Sequence, residues 1–223
     1  MSARILALDL TGPGGGAALL LPSGLSLSRL PPGAPRGRLL MPAVEALLGD
    51  AAIAPRELDA IACAVGPGSF TGIRIGIATA ATIAYAAGRP AVAVGSLHGI
   101  AAGAPAGARR IAVAVDARRG RIFGAQFERT GDRVELRGAY LHAPAEEFAA
   151  MLPRDTHLLG DALRAYPRLF AGLDGDGDAL VQPDAVARIG ADLFARGEAM
   201  AAADLRPLYL RLSDPEIRFP APS

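Results

Sequence analysis

The sequence predicts a two-lobed α/β protein assembled from a duplicated unit, and three observations predict it. An apolar strand pattern over residues 5–10 carries Asp9 near its end and turns through residues 11–16 into a second strand. The same layout returns at residues 111–115, which lead into Asp116 and a turn over residues 117–120. Between the two, residues 61–65, a glycine-rich loop, an apolar helix and residues 91–94 form a strand-helix-strand unit, which implies a parallel crossover. The expected division is an N-terminal lobe over residues 1–100 and a smaller C-terminal lobe over residues 101–223.

Each element follows from local pattern. Residues 17–21 and 25–30 complete an antiparallel start behind the turn Thr11-Gly12-Pro13-Gly14-Gly15-Gly16, and residues 31–37 read as a loop. Residues 39–48 place apolar side chains at 40, 44, 47 and 48, a helical spacing that Gly49 and Asp50 end. The helix after the glycine-rich loop is expected over residues 73–87. In the second lobe, residues 122–127 alternate as a strand and residues 134–141 supply a third. A helix over residues 185–195, with Val186, Ile189, Leu193 and Phe194 apolar, is expected to cover the second sheet. The run Asp174-Gly175-Asp176-Gly177-Asp178 reads as a plain loop. As a calcium loop it lacks the sixth-position glycine and has Ala185 where a Glu is needed.

The densest local signal is Gly66-Pro67-Gly68-Ser69-Phe70-Thr71-Gly72, where a buried strand must turn directly into a helix. Glycines permit positive φ and close approach, and Ser69 or Thr71 can cap the free N–H groups that open the helix. Such a turn either cradles an anion or is only a tight, capped connection. Along the helix Gly72, Gly76, Ala80 and Ala84 recur every four residues, with Ile73 and Ile77 beside them. A small-residue stripe lets another helix approach closely, whether from this chain or a second one.

Composition excludes several classes. With 223 residues and 51% hydrophobic content the chain can bury one large core or two small ones. No run approaches the roughly 18 uninterrupted apolar residues of a membrane span, and residue 4 leads straight into a strand pattern, so a soluble, cytoplasmic protein is expected. Net charge is +1, from 23 basic and 22 acidic residues, which provides no strong overall field for nucleic acid, so no strong direct nucleic-acid binding is expected. Arginines 109, 110, 118, 119 and 121 lie close in sequence, but arginines flanking strands ordinarily form solvated ends. All the basic residues are arginine, so a Walker A lysine, a lysine Schiff base and a lysine general base are all absent. The single Cys63 lies in a buried strand and reads as a small core residue. His98, His142 and His157 are isolated in sequence and assemble no local metal set. No cofactor and no catalytic set is expected.

In this order and spacing, ILALDLTGPGGGAALL (5–20), GPGSFTG (66–72) continuing as IRIGIATAATIAYA, VDARRGRIF (115–123) and PLYLR (207–211) resemble the TsaB family. The likeness is densest over residues 4–128 and thin over 129–206. It implies the duplicated α/β fold of the actin, sugar-kinase and Hsp70 superfamily, in which two Asp-bearing turns, one per lobe, hold nucleotide phosphates. Here Asp9 and Thr11 keep the first turn, while Arg118 and Arg119 beside Asp116 stand where the second normally has glycines. These positions therefore read as a degenerate phosphate site. The resemblance further implies a partner role in threonylcarbamoyladenosine modification of tRNA, beside a TsaD-type enzyme and a TsaE-type ATPase, with a homodimer when alone. Its association surface would be the helix near residues 39–48 with Gly72, Ile73, Gly76, Ile77, Ala80 and Ala84. The metal-binding histidine pair of TsaD would fall at Ser96 and Ile100, with His98 between them. A different reading remains open, that of a small ATP-dependent carbamoyl or phosphoryl transferase using Asp9 and the loop 66–72.

Overall fold

The computed structural model describes residues 3–210. The first sheet has the order β3-β2-β1-β4-β5, built from β1 (Ile5–Asp9), β2 (Gly16–Leu21), β3 (Gly24–Arg29), β4 (Ala60–Ala64) and β5 (Ala91–Val94). β1, β2 and β3 are antiparallel, whereas β4 and β5 run parallel to β1. Helices α1 (Arg36–Asp50) and α2 (Phe70–Ala87) follow β3 and β4, and α3 (Ser96–Ala101) follows β5. The second sheet repeats this wiring: β6 (Arg110–Arg118), β7 (Arg121–Thr130) and β8 (Arg133–Pro144) are antiparallel. Then α4 (Ala145–Ala150), β9 (His157–Leu159), α5 (Ala162–Ala165) and β10 (Asp174–Asp176) follow, with β9 parallel to β6 and β10 parallel to β9. The duplication is therefore real, down to the positive-φ glycine after each lobe's parallel strand: Gly66 at φ 110° and Gly160 at φ 106°.

The two faces of β1 explain the layering. Leu6 and Leu8 join Leu19, Ile61 and Cys63 in a core closed by α1 and α2. Ile5 and Ala7 join Ala18, Ala60, Ala62 and Ala64 on the opposite face. On the first face Ile73, Ile77 and Ile83 of α2 are buried, each contributing about 1.5–3 kcal/mol by transfer from water. The second face is lined by alanines, so a helix can lie unusually near it. α6 (Pro183–Ala195) occupies that trough, with Gly190 so close that an added Cβ would stand 2.5 Å from the Ala62 Cβ. This corrects the expectation that residues 185–195 cover the second sheet. Apolar spacing shows that a helix has a face, and the alanine trough decides which sheet receives it. α3 and α6 thus fill the space between the sheets, meeting Ile111, Val113 and Phe127 of the second. Ala112, Ala114 and Leu158 face outward onto Phe148 of α4 and Phe170.

Other boundaries shift for local reasons. α2 begins at Phe70, three residues before the expected start, because the Ser69 side chain accepts from the Gly72 N–H and caps it. Thr71 lies inside the first turn. Residues 174–176 are not a plain loop but an edge strand, paired parallel with β9. The short elements α3, α4, β9 and α5 are not legible in the sequence, since three to six residues hold too little of a period to read. α2 meets the length and hydropathy of a membrane span by composition alone, yet residues Gly72 to Ala84 hold its inner face against the sheet, as in a core helix.

Candidate functional site

The two Asp-bearing turns face one another across a cleft of about 720 Å³ between the lobes. In the first, Asp9 is fully buried and its Oδ1 accepts from the Thr11 N–H at 2.8 Å and the Thr11 hydroxyl at 2.6 Å. Its Oδ2 is buried without a partner. Burial pushes the carboxyl up to about 6, against the lowering influence of Thr11 and of the Arg36 guanidinium. The glycines here serve the chain itself. A Cβ at Gly15 would lie 2.3 Å from Asp9 O, and one at Gly16 would lie 2.2 Å from Ser28 O. Arg36 donates to Gly12 O, and Pro13 has no N–H to offer a phosphate.

The loop after β4 has the same character. A Cβ at Gly68 would meet Thr11 O at 2.5 Å, and one at Gly72 would meet Leu10 O at 1.9 Å. Gly66 has positive φ, a Cβ on it would stand 3.0 Å from Leu208 O, and it carries the cis bond to Pro67. Ser69 N–H donates to Thr11 O, Ser96 N–H to Gly66 O, and the Ser96 hydroxyl to Pro67 O. Close packing against the end of β1 accounts for Gly66, Gly68 and Gly72, leaving their presence no evidence of an anion cradle.

The second turn is built differently. Arg118 pairs with Arg121, so Arg119 and Gly120 form a two-residue hairpin turn, and Arg118, Arg119 and Gly120 have φ of 69°, 56° and 74°. Positive φ is the conformation that favours glycine, which is why these arginines read as replacing glycines. Asp116 Oδ1 accepts from the Arg118 N–H at 2.9 Å and the Tyr166 hydroxyl at 2.8 Å, while its Oδ2 lies 3.3 Å from Arg118 Nη1. Its own N–H donates to Asp161 Oδ1 at 2.7 Å. The hydrogen bond to Asp116 pushes the Tyr166 phenol up. Arg118 lines the cleft and is tied to Asp116, so the position facing the first turn is held by an ion pair.

The remaining lining is largely apolar, with Ile73, Ile100, Val115, Phe123 and Leu180 among it, and Asp161, Arg164 and Asp178 on the second-lobe wall. Arg164 and Asp178 are ion-paired. Of these, Asp161, Arg164 and Leu180 are not singled out by the sequence. They come from scattered short elements, and no local spacing links them. The segment 205–210 closes one side, where Leu208 N–H donates to Val65 O. Of the motif 207–211, Arg211 lies outside the described residues.

The small-residue stripe faces inward. Gly72, Ile73, Gly76, Ile77, Ala80 and Ala84 are all buried, packed on this chain's own first sheet near Leu10 and Cys63. They are not an available association surface, which corrects that assignment. The outer face of α2 carries Phe70, Arg74, Ala78, Thr82 and Tyr85, beside Met41, Pro42 and Glu45 of α1. Tyr85 is 84% exposed. His98 lies in the first turn of α3, half-buried, with its ring tilted against Phe127 at 5.4 Å and its Nε2 2.6 Å from Val134 O. Burial holds its pKa below the ordinary value. Cys63 is fully buried, and burial pushes its thiol up, as for an inert core residue. Among the described residues, no group of three or more His, Cys, Asp or Glu converges as metal ligands would.

Comparison with known proteins agrees with this architecture. The family model described as TsaD, tRNA N6-adenosine threonylcarbamoyltransferase, matches residues 37–165. The Escherichia coli tRNA threonylcarbamoyladenosine biosynthesis protein TsaB is 31% identical over 182 residues, 77% of this chain and 79% of that one. Its Bacillus subtilis namesake is 31% identical over 194 residues, 80% of this chain and 81% of that one. A solved structure titled YeaZ from Pseudomonas aeruginosa superposes with a TM-score of 0.87 at 29% identity, covering 93% of this chain and all of that one. Shared sequence across about four-fifths of both chains, carried on the same fold, shows that the chain belongs to the TsaB family.

Proposed function

We propose that this chain takes part in tRNA threonylcarbamoyladenosine biosynthesis as a non-catalytic partner that docks and activates a TsaD-type enzyme. The observation that carries this reading is the outer face of the α1/α2 pair. Over the 18 residues of α2 the single charged side chain is Arg74. Tyr85 at 84% exposure, Met41 at 40% and the small Ala78 and Thr82 make a flat, weakly polar surface without a covering element among the described residues. Aromatic and Met side chains at the centre of such a surface are typical anchors of protein interfaces. Relatives named for the same pathway, and the match to the TsaD family model, support the choice of partner. The same face would form a homodimer when the chain is alone, a TsaE-type ATPase would join the complex, and the cytoplasm is where these act.

Co-purification with the organism's own TsaD-type protein tests this. Ala78→Arg and Tyr85→Arg change exposed positions, so both variants should keep the wild-type melting temperature and lose co-elution. Co-elution unchanged in both variants would refute the surface. The transferase reading rests on Asp9 and the Gly66 loop, where the glycines are already explained by packing and Pro13 and Arg36 occupy the first turn. Titration with Mg-ATP separates the two: the docking reading expects no saturable binding, whereas turnover of ATP by the isolated chain would establish the enzyme.

A further inference from the structure

The net charge of +1 conceals an uneven distribution. No Asp or Glu occurs between Asp9 and Glu45, or between Asp59 and Asp116, so the first turns of α1 and α2 carry no carboxylate of their own, and the carboxyl that feels Arg36 is the buried Asp9. Arginines are present there. Arg36 and Arg38 open α1, Arg74 lies in the second turn of α2, and the two helices meet where a Cβ on Gly37 would stand 3.2 Å from Ile75 Cδ1. Among the described residues none of the three is ion-paired. The positive dipole ends of both helices add potential in the same place.

Beside Arg74 is an aromatic platform. Phe70 and Tyr209 stack with centroids 5.3 Å apart and planes inclined by 25°. The Arg74 guanidinium lies 3.9 Å from the Phe70 centroid, and its Nε donates to the Tyr209 hydroxyl at 3.1 Å. Both rings remain open to solvent, Phe70 at 37% and Tyr209 at 41%. Bulky rings left exposed but held rigid by stacking and a guanidinium are not explained by core packing. On the opposite wall of the cleft Arg118 and Arg164 are ion-paired with Asp116 and Asp178, and Asp161 adds a further carboxylate, so the arginines without ion pairs on the first-lobe rim are the better site for an anionic partner.

We propose that the rim formed by Arg36, Arg38, Arg74, Phe70 and Tyr209 is a contact site for single-stranded RNA, with phosphates on the arginines and an unstacked base against the Tyr209 ring. Arginine with exposed aromatics is the pairing that recognises single strands, since every base has a face to stack while a duplex hides it. The inference rests on the pathway reading above, which brings an RNA substrate to the complex. The site takes the N-terminal end of the outer α2 face, where Phe70 and Arg74 lie, whereas the docking anchor Tyr85 is eleven residues beyond Arg74, about 16 Å along the helix axis. With about three phosphate contacts the contact is weak alone and strongly salt-dependent, losing about twentyfold in affinity from about 50 to 200 mM salt.

Fluorescence anisotropy of a labelled RNA anticodon stem-loop, on the full chain and on its complex with the TsaD-type protein, tests the proposal. The Arg38→Glu/Arg74→Glu variant should bind at least about tenfold more weakly and show a flatter salt dependence. Tyr209→Ala should lose about tenfold, while Tyr209→Phe, which keeps the ring and removes the hydroxyl bond to Arg74, should bind like wild type. A fully duplex RNA should compete poorly. Equal binding by the charge-reversal variant, equal losses in Tyr209→Phe and Tyr209→Ala, or competition by a polyglutamate peptide as strong as by RNA would each overturn it. Co-elution with the TsaD-type protein, measured on the wild type and on Tyr209→Ala, which lies off the α1/α2 face, keeps the two readings apart: an absent RNA contact leaves the complex formed, whereas a failed docking reading removes the complex whatever the RNA does.

Discussion

Asp9 and Asp116 occupy matching places, each near the end of its lobe's first strand and ahead of a hairpin turn, yet their surroundings oppose one another. Asp9 is sealed, with one oxygen held by Thr11 and the other left without a partner. Asp116 is half-buried and satisfied by the Arg118 N–H, the Arg118 guanidinium and the Tyr166 hydroxyl. The helix that follows the adjacent parallel strand differs as sharply: 18 residues for α2 in the first lobe, four for α5 in the second. Duplication preserved the wiring of the sheets, which hydrogen bonding enforces, and left the chemistry at the turns free to diverge. The first turn was closed by burial and the second by an ion pair.

The largest effect that would sharpen this contrast is at the start of α2. Gly72→Ala places a Cβ 1.9 Å from the backbone oxygen of Leu10, which cannot move without disrupting β1, so a loss of about 3 kcal/mol or more is expected in denaturant unfolding. Gly76→Ala, one helical turn on, meets nothing nearer than Cys63 Sγ at 3.7 Å and should stabilise by about 0.5–1 kcal/mol through helix propensity. If both substitutions are neutral, α2 does not seat on the first turn as described.

The next effect concerns the sealed carboxyl. Asp9 is raised from 3.8 to about 6, so the folded state favours its protonated form. Its contribution is fully present below the unfolded value and is lost as pH rises from about 4 through about 6, a fall of about 3 kcal/mol. Asp9→Asn should therefore raise stability by up to that amount near neutral pH and flatten the dependence between about pH 4 and 7. Chemical denaturation at a series of pH values reads this directly, and an unaltered pH profile in the variant would show that Asp9 is not desolvated. The smallest expected effect is at the second turn. Arg119→Gly relieves a positive-φ arginine and should gain about 0.5–1 kcal/mol, partly offset by glycine's greater freedom when unfolded. A loss in its melting temperature would mean that the Arg119 side chain supports the turn.

What the sequence by itself determined was periodic and local. Alternation and apolar runs located β1 to β8 and the helices α1, α2 and α6, because strand and helix periods are imposed by the backbone before any tertiary contact forms. The two Asp positions, the glycine-poor second turn and the Ser69 cap were equally legible, since each depends on residues within a few places of one another. The orientation of faces was not. Gly72, Gly76, Ala80 and Ala84 announced close approach without saying to what, and only the fold showed that Leu10 and Cys63 receive them. α6 carried a clear apolar face, but the alanine trough of Ala7, Ala18, Ala60 and Ala62 that captures it is assembled from three strands, all more than a hundred residues before it. Likewise Tyr166 reaches Asp116 across 50 residues, and Tyr209 reaches Arg74 across 135. Such contacts depend on which surfaces the sheets bring into register, a property of the packed chain that no short window of residues contains.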